Sequence, residues 1–391
     1  MNSLAWLVGA GRWSTHLAAA PPLAALNATI FLAAALDRRF STSTASATST
    51  ASSDSGGDGA GGSSTTPPPT VPVQRLQHAI TPQVCDHLRR RGFAVIDGVF
   101  GPETAAALRA EVAAVRGAMH KNHTHLVHGG STGLLEKEHI WEAELMQKET
   151  QELAPLCAQL QHDGTLRVML SLLMPELRLH SQAIKLQYNA GGGGSFPMHF
   201  DTDEQVDERR VTAIWYLNPG WRPGDGGELR LYPFPEPAVD VQPLNDRMVL
   251  FSSAHMLHRV LPAAAERYCF TIWLSGGGGQ RRAGTAGQAG AAAAAAREEL
   301  RRALSGSEPL APAAAWRLLT HPQLRKHAAK WLHREEWERS VRESHAAGAG
   351  LQQALDVFAA EAGVVHRALA PLLPALVAGP PPAGVPPPAW F

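Results

Sequence analysis

Residues 181–275 of this 391-residue chain hold a series of short runs rich in β-branched, aromatic and aliphatic side chains, and these runs constrain the fold most. Gly, Pro, Asn and Asp separate the runs and favour turns between them. Many short strands with turn residues between them predict a sandwich or a barrel. The predicted strands are residues 183–188, 211–217, 228–232, 248–251, 258–261 and 268–274.

Three side chains in this region have the pattern of a metal site. His199 and Asp201 stand two positions apart in a stretch that we predict to be extended. Side chains at i and i+2 of a strand point to the same side, so an imidazole and a carboxylate can converge on one ion. His258, on a later strand, supplies the third ligand of a two-His, one-carboxylate face, which is the ligand set of non-haem Fe(II) oxygenases. His255, in a Ser-Ser-Ala loop, is the rival third ligand.

Arg267 follows His258 by nine residues. If both lie on antiparallel strands of one barrel, the guanidinium reaches the same cavity and offers a planar, bidentate mount for a carboxylate. Tyr188 and Tyr216 lie on strands that flank the His-Phe-Asp segment, and their hydroxyl groups can donate to the same acid. We therefore predict that these three side chains bind a carboxylate cosubstrate.

The order and spacing of these residues resemble the catalytic core of the Fe(II)- and 2-oxoglutarate-dependent prolyl 4-hydroxylase superfamily. Within it, the chain is most similar to the oxygen-sensing (hypoxia-inducible-factor-type) prolyl hydroxylases. The similar segments are Tyr188 before a Gly-rich loop, His199-Phe-Asp201, 214–218, 226–230, 246–251, 258–262 and 267–273.

A weaker resemblance extends upstream. Residues 93–98 resemble the early strand of the family, and residues 137–142, with Ile140 and Trp141, resemble the end of the mobile loop that closes over the peptide. The basic-acidic start of that loop is not evident, which leaves the target peptide open.

The resemblance implies an α+β fold with a mainly β core: a double-stranded β-helix (jelly roll) with supporting N-terminal helices and a C-terminal helical appendage. It implies the cosubstrates 2-oxoglutarate and dioxygen, Fe(II), and L-ascorbate to keep the iron reduced. The implied activity is hydroxylation of a peptidyl residue, with proline favoured, and release of succinate and carbon dioxide. The implied ligands are His199, Asp201 and His258 for iron, and Arg267, Tyr188 and Tyr216 for 2-oxoglutarate.

Around the core at 181–275 we predict an N-terminal support at 73–180. Within it, helices begin at Pro82 and Pro102, a strand covers 93–97, and a helical stretch covers about 149–174.

The four closely spaced histidines His120, His123, His125 and His128 lack acid or Cys partners, so we interpret their segment as a polar loop without metal. A Gly/Ala-rich linker at 276–296 precedes a helical appendage at 297–379, and a Pro-rich tail covers 380–391.

The first 40 residues contain three Arg and one acid, which is typical of an organelle transit peptide. We predict import into a mitochondrion or plastid, with a cytoplasmic, nuclear or endoplasmic reticulum location as the alternative. Pro21 and Pro22 interrupt the apolar stretch, so a membrane anchor is poorly supported. Residues 41–72 are Ser, Thr, Gly and Pro with few large apolar side chains, which predicts a disordered linker.

The composition excludes some partners. Lys and Arg number 35 against 35 Asp and Glu, which argues against a protein bound to nucleic acid by bulk charge. Three Cys are too few for a disulfide scaffold. We expect a peptide or protein substrate. Two alternatives stay open: the same chemistry on a free amino acid or another side chain, and a jelly-roll scaffold without turnover.

Overall fold

The computed structural model describes residues 70–391 except 129–130, 204–206, 278–297, 299–301, 303–310, 377–381, 384 and 386. The predicted transit segment, nearly all of the predicted disordered linker and nearly all of the Gly/Ala-rich linker therefore lie outside the described residues. Within the described part, no helix combines the length and the apolar composition that a membrane span requires.

Short helices and one strand form the N-terminal part of the described chain. Helix α1 covers Arg75–Ala79 and α2 covers Pro82–Arg91. The Thr81 hydroxyl accepts the Val84 N–H at the start of α2, and Gly92 ends the helix in the left-handed region at φ 76°. Strand β1 (Phe93–Asp97) and helix α3 (Pro102–Ala114) follow, with a 3₁₀ turn at Val115–Ala118. The predicted helical stretch at 149–174 consists of three helices, α4 (Lys148–Leu153), α5 (Pro155–His162) and α6 (Thr165–Leu173).

Two antiparallel sheets form the core and confirm the predicted jelly roll. The larger sheet has the order β1-β9-β6-β11-β4-β3-β2, and the smaller sheet has the order β5-β10-β7-β8. The N-terminal helices cover the outer face of the larger sheet through one continuous apolar cluster. The remaining strands are β2 (His120–His128), β3 (Ser131–Glu144), β4 (Leu179–Asn189), β5 (Gly194–His199), β6 (Arg209–Tyr216), β7 (Leu229–Tyr232), β8 (Val239–Val241), β9 (Arg247–Ser252), β10 (Leu257–Ala263) and β11 (Arg267–Gly276).

The histidine-rich segment His120–His128, which the sequence predicts to be a polar loop, is strand β2 instead, and that prediction is wrong. It pairs antiparallel with β3, with His120 opposite Glu142 and a bulge between Lys121 and His123. Strand β3 in turn pairs with β4, which joins this long hairpin to the edge of the larger sheet. Cross-strand pairing stabilises β2, because its own sequence lacks the apolar alternation of a half-buried strand.

The C-terminal helices pack on the jelly roll. They are α7 (Pro312–Leu319), α8 (Pro322–Leu332), α9 (Arg334–Ser344) and α10 (Ala349–Leu369), followed by a 3₁₀ segment at Ala370–Ala375. One buried cluster combines Met198 and Leu257 from the smaller sheet with Leu319, Ala328 and Leu369 from the helices. The predicted appendage therefore packs against the jelly roll through a shared core. The Trp390 side chain, in the predicted Pro-rich tail, is buried against the core as well.

Candidate metal and cosubstrate site

The smaller sheet brings the two predicted histidine ligands together. His199 ends strand β5 and His258 lies near the start of β10, and the two residues are opposite each other in the antiparallel register. Their ring centroids are 4.3 Å apart. Asp201 follows β5 by two residues, and its backbone N–H donates to the Ser253 carbonyl oxygen at 3.1 Å. Within the described residues, these three form the one group of His, Cys, Asp and Glu side chains that can hold a metal ion. The rival ligand His255 is not a member of it.

The distances fit a divalent cation. Asp201 Oδ1 lies 3.5 Å from His199 Nε2 and 3.5 Å from His258 Nε2. First-row metals bind these atoms at about 2.0–2.2 Å, which places two ligands at right angles about 3 Å apart. A small inward movement of the three side chains is therefore enough to coordinate an ion.

Hydrogen bonds select the ring nitrogen of each histidine that faces the metal position. His199 Nδ1 lies 2.7 Å from the Pro197 carbonyl oxygen, and His258 Nδ1 lies 3.0 Å from that of Met256. A carbonyl oxygen accepts only from a protonated nitrogen, so both Nδ1 atoms donate, and Nε2 is the nitrogen of each ring that faces the metal position. Burial, with the nearby His258 ring, lowers the pKa of His199, which favours the neutral form that binds a metal.

The carboxylate is oriented in the same way. Asp201 Oδ2 accepts hydrogen bonds from the Thr212 hydroxyl group and from Trp273 Nε1, the latter at 3.2 Å. Oδ1 is left to face the histidines. Burial opposes ionisation of Asp201, but His258 and His199 outweigh it and hold the pKa of the carboxyl well below its usual range. The carboxylate is therefore anionic before any metal arrives.

Arg267 begins strand β11 and lines the same cavity as His199, Asp201 and His258, which we call the triad. It is buried, and its Nε has no hydrogen-bond partner among the described residues. Its guanidinium carbon lies 4.9 Å from the centroid of the Tyr216 ring. The buried Tyr216 hydroxyl also lacks a partner in the described part of the chain, and burial raises its pKa to about 12, so it stays a donor. Unpaired buried donors are costly, and a carboxylate bound in the cavity would satisfy Arg267. Tyr216 is on the same face of the sheet but is not among the residues that line the cavity.

A glycine makes room for this arginine. A Cβ atom at Gly227 would lie 2.9 Å from Arg267 Cδ, and the residue has φ 74°, where glycine is favoured. Glycine is therefore required at position 227, because a larger residue would collide with Arg267, the side chain that is predicted to bind the carboxylate.

The structure does not bring Tyr188 into the cavity, and this prediction is corrected. Tyr188 is paired with Tyr268 across β4 and β11, whereas Arg267 is paired with Asn189, the next position. Because alternate side chains point to opposite faces, Tyr188 lies on the helix-covered face of the sheet. Its hydroxyl donates to Glu266 Oε1 at 2.6 Å. Gln187, its neighbour, lines the cavity instead.

Ile140 and Trp141 are not cavity residues either. Both lie in strand β3 at the base of the hairpin, where Ile140 is fully buried and Trp141 packs against Tyr188. Lys137 and Glu142, from the same segment, line the cavity instead.

Lys137 and Glu142 belong to a buried polar network that no pattern in the sequence predicted. Glu142 accepts from Asn122 Nδ2 and, at 3.1 Å, from Lys185 Nζ. Lys137 Nζ donates to Asn122 Oδ1 and, at 3.0 Å, to the His123 carbonyl oxygen. Burial opposes ionisation of Glu142, but His120 and Lys185 outweigh it and lower its pKa to about 2. This network fixes the hairpin against β4 and forms one wall of the cavity.

The cavity has a volume of about 570 Å³ and extends from the triad to the C-terminal helices. Its lining comes from the larger sheet, the smaller sheet, the hairpin and helices α8 to α10. The contributions of the helices are Lys326, His327, Lys330, Trp337, Val341, His345, Ala354, Phe358 and Glu361. The sequence predicted these helices but gave no signal that they form part of the site.

Comparison with known proteins agrees with this geometry. Residues 184–275 match the sequence model of the 2OG-Fe(II) oxygenase superfamily. These residues form a 2OG-Fe(II) oxygenase domain. All three metal ligands and Arg267 lie within the matched residues, so the predicted Fe(II), 2-oxoglutarate and dioxygen chemistry is that of the superfamily.

The chain is also similar to solved structures of prolyl 4-hydroxylases. A prolyl 4-hydroxylase from Phytophthora capsici is 29% identical, with 80% of this chain and 95% of that chain covered and a TM-score of 0.57. A Pseudomonas putida prolyl-4-hydroxylase is 25% identical over 50% of this chain and 99% of its own, with a TM-score of 0.42. A Trichoplax adhaerens prolyl hydroxylase, solved with a hypoxia inducible factor peptide fragment, is 22% identical over 52% and 91%, with a TM-score of 0.43.

Proposed function

We propose that this oxygenase hydroxylates a peptidyl proline, with conversion of 2-oxoglutarate and dioxygen to succinate and carbon dioxide. The observation that carries the proposal is the joint position of the triad and Arg267 on one cavity. The resemblance to the Phytophthora capsici prolyl 4-hydroxylase, which extends over most of both chains, supports proline as the target.

His199, Asp201 and His258 would hold Fe(II), which supplies activation of dioxygen coupled to decarboxylation of 2-oxoglutarate. The protein fixes both imidazole tautomers through backbone carbonyls and holds the carboxylate through Thr212 and Trp273. All three ligands are thus oriented before binding, and little reorganisation is required.

Arg267 and Tyr216 would orient the distal carboxylate of 2-oxoglutarate. A guanidinium offers two parallel N–H donors to a carboxylate, and a neutral tyrosine adds a third donor. The apolar side chains of Ile214, Leu229 and Val260 line the same cavity and are buried. They exclude water around the cosubstrate, which strengthens the ionic contact.

The size of the cavity favours a peptide over a free amino acid. It continues past the triad to the hairpin and to helix α10, well beyond the space that one residue needs.

We also propose L-ascorbate as the reductant that restores Fe(II), and import into a mitochondrion or plastid directed by residues 1–40. A fluorescent fusion of residues 1–70 tests the import, and omission of ascorbate from repeated turnovers tests the reductant.

The decisive experiment gives the full-length protein Fe(II), 2-oxoglutarate, ascorbate and a set of proline peptides. We expect succinate and peptide oxidation, seen by mass spectrometry as one added oxygen, in equal amounts. His199→Ala should abolish both, whereas the matched His180→Ala, which replaces a half-exposed histidine outside the cavity, should leave both unchanged. Succinate without any oxidised peptide would reject the peptide substrate, and no succinate above the His199→Ala background would reject the enzyme.

A further inference from the structure

An apolar part of the cavity lies between the hairpin and helices α9 and α10. We call it the flanking subsite. Its walls are side chains of Leu134 from β3, Trp337 and Val341 from α9, and Ala354 and Phe358 from α10.

Leu134 is the unusual member of this set. It is 61% exposed, although its neighbour Leu135 packs against the cluster of Val341 and Leu355. Leu135 thus fixes the hairpin against the helices, and Leu134 presents apolar surface to the space between them. Together with the apolar and aromatic side chains across from it, Leu134 gives this part of the cavity the composition of a ligand pocket.

The opposite wall is aromatic and electrically balanced. The Trp337 and Phe358 rings are 5.3 Å apart and tilted by 58°, and both are only partly buried. Lys330 Nζ lies 4.1 Å from the Trp337 ring but is paired with Glu361 at 2.6 Å. Because these two charges compensate each other, the subsite favours an uncharged apolar group over an ionic one.

The flanking subsite is close to the metal position. On α9, the Ser340 hydroxyl accepts the backbone N–H of Met198, the residue before His199. Trp337 precedes Ser340 by three residues, a rise of about 4.5 Å along the helix. An extended peptide advances about 3.3 Å per residue, so a side chain one to three positions from the target can reach the aromatic wall.

We propose that the flanking subsite binds an uncharged apolar side chain of the same peptide, one to three residues from the hydroxylated proline. The inference rests on the proposed function and adds a sequence requirement to it. The subsite is continuous with the catalytic cavity, so its occupant and the target residue belong to one chain.

The test uses full-length enzyme and peptides that carry Leu or Ser at each position around a single proline. At one position, we expect Leu to raise kcat/KM about tenfold through KM, the preference that roughly 50 Å² of buried apolar surface provides. Leu134→Ser should reduce that preference to about twofold. The matched Leu172→Ser replaces a leucine that is 70% exposed on α6, outside the cavity, and should retain the full preference.

Phe358→Ala provides a second variant on the opposite wall and should also reduce the preference. An unchanged preference in both variants, or no preference in the wild type, overturns the inference while hydroxylation itself stands. If Leu134→Ser lowers the unfolding temperature without a change in preference, a segment of this chain fills the subsite and the inference is wrong. Failure to hydroxylate any peptide refutes the proposed function instead.

Discussion

The hydroxyl group of Ser340 should control how tightly the protein binds its metal. Strand β5 is an edge strand of the smaller sheet, and the N–H of Met198 points away from β10 to Ser340 Oγ at 3.0 Å. Both residues are buried. In Ser340→Ala the N–H has no acceptor, and a buried unsatisfied donor costs about 1–3 kcal/mol.

Loss of this hydrogen bond affects a metal ligand directly, because Met198 precedes His199 in strand β5. If β5 relaxes to satisfy its N–H with water, metal binding must restore the native position of the strand. We expect Ser340→Ala to lower the free energy of unfolding by about 1–2 kcal/mol. About 1 kcal/mol of this should appear as a roughly fivefold weaker affinity for Co(II), a spectroscopic substitute for Fe(II).

The matched control is Ser344→Ala, one helical turn further along α9. Ser344 Oγ lies 2.9 Å from Ser195 Oγ, and this partner is a hydroxyl group that can rotate to another acceptor. We expect its Co(II) affinity to change by less than about twofold. Titration of the metal-free proteins, followed by visible absorption, gives both values. A Ser340→Ala protein that loses stability but binds Co(II) like the wild type would show that the contact is only structural and would refute the reasoning.

Other substitutions test the remaining assignments. Arg267→Ala should weaken 2-oxoglutarate binding by at least about tenfold while Co(II) affinity stays the same, because it removes a charged anchor and no metal ligand; equal loss of both would contradict the role. Tyr216→Phe should weaken the binding of 2-oxoglutarate about three- to tenfold, as measured by calorimetry, whereas Tyr188→Phe should leave it unchanged. If Tyr188→Phe weakens binding and Tyr216→Phe does not, the original prediction for Tyr188 is restored. Burial lowers the pKa of His345 to about 4, against about 6.5 in the unfolded chain. The unfolded chain therefore binds more protons between these values, and the contribution of His345 to stability is complete above pH 6.5 and lost as the pH falls towards 4. From pH 6 to 4.5, urea titrations should show the wild type losing about 1 kcal/mol more per pH unit than His345→Gln; parallel pH profiles would refute this assignment.

Two pairs of residues in the site were predictable because each pair is local in sequence. The two-residue spacing of His199 and Asp201 fixes their common side in extended backbone, whatever the register of the strands. His258 and Arg267 are separated by a single turn between two neighbouring runs of β-forming residues. Each of these relations depends on the alternation of a strand and on short connections, which the sequence displays directly.

The register between strands was not predictable in the same way. Tyr188 and Tyr216 are both aromatic residues on strands that flank β11, and their sequences give no reason to prefer one. The structure separates them because Tyr216 is opposite Cys269, on the cavity side with Arg267, whereas Tyr188 is opposite Tyr268 on the other side. A shift of one residue would exchange the two faces, and only the packing of the whole sheet decides it.

The hairpin escaped prediction for a related reason. The residues 120–125 are His, Lys, Asn and Thr, with no apolar alternation, and an isolated segment of this kind indicates a loop. Its strand structure comes from the partner β3 and from a buried network in which Lys137 and Glu142 compensate the cost of burial for Asn122. Tertiary contacts of this kind leave no periodic signal.

The C-terminal helices show why the reaction was easier to predict than the substrate. Leu324, Ala328, Trp331 and Leu332 recur in the sequence at helical spacing, and they pack on one cluster. A helical period, however, shows which face is apolar and not which surface it will meet. The ligands and Arg267 lie within residues 184–275, whereas the wall around Leu134 and Phe358 is assembled from segments on either side of that domain. A relative that retains the core residues but changes these flanking segments should keep the chemistry and accept a different peptide.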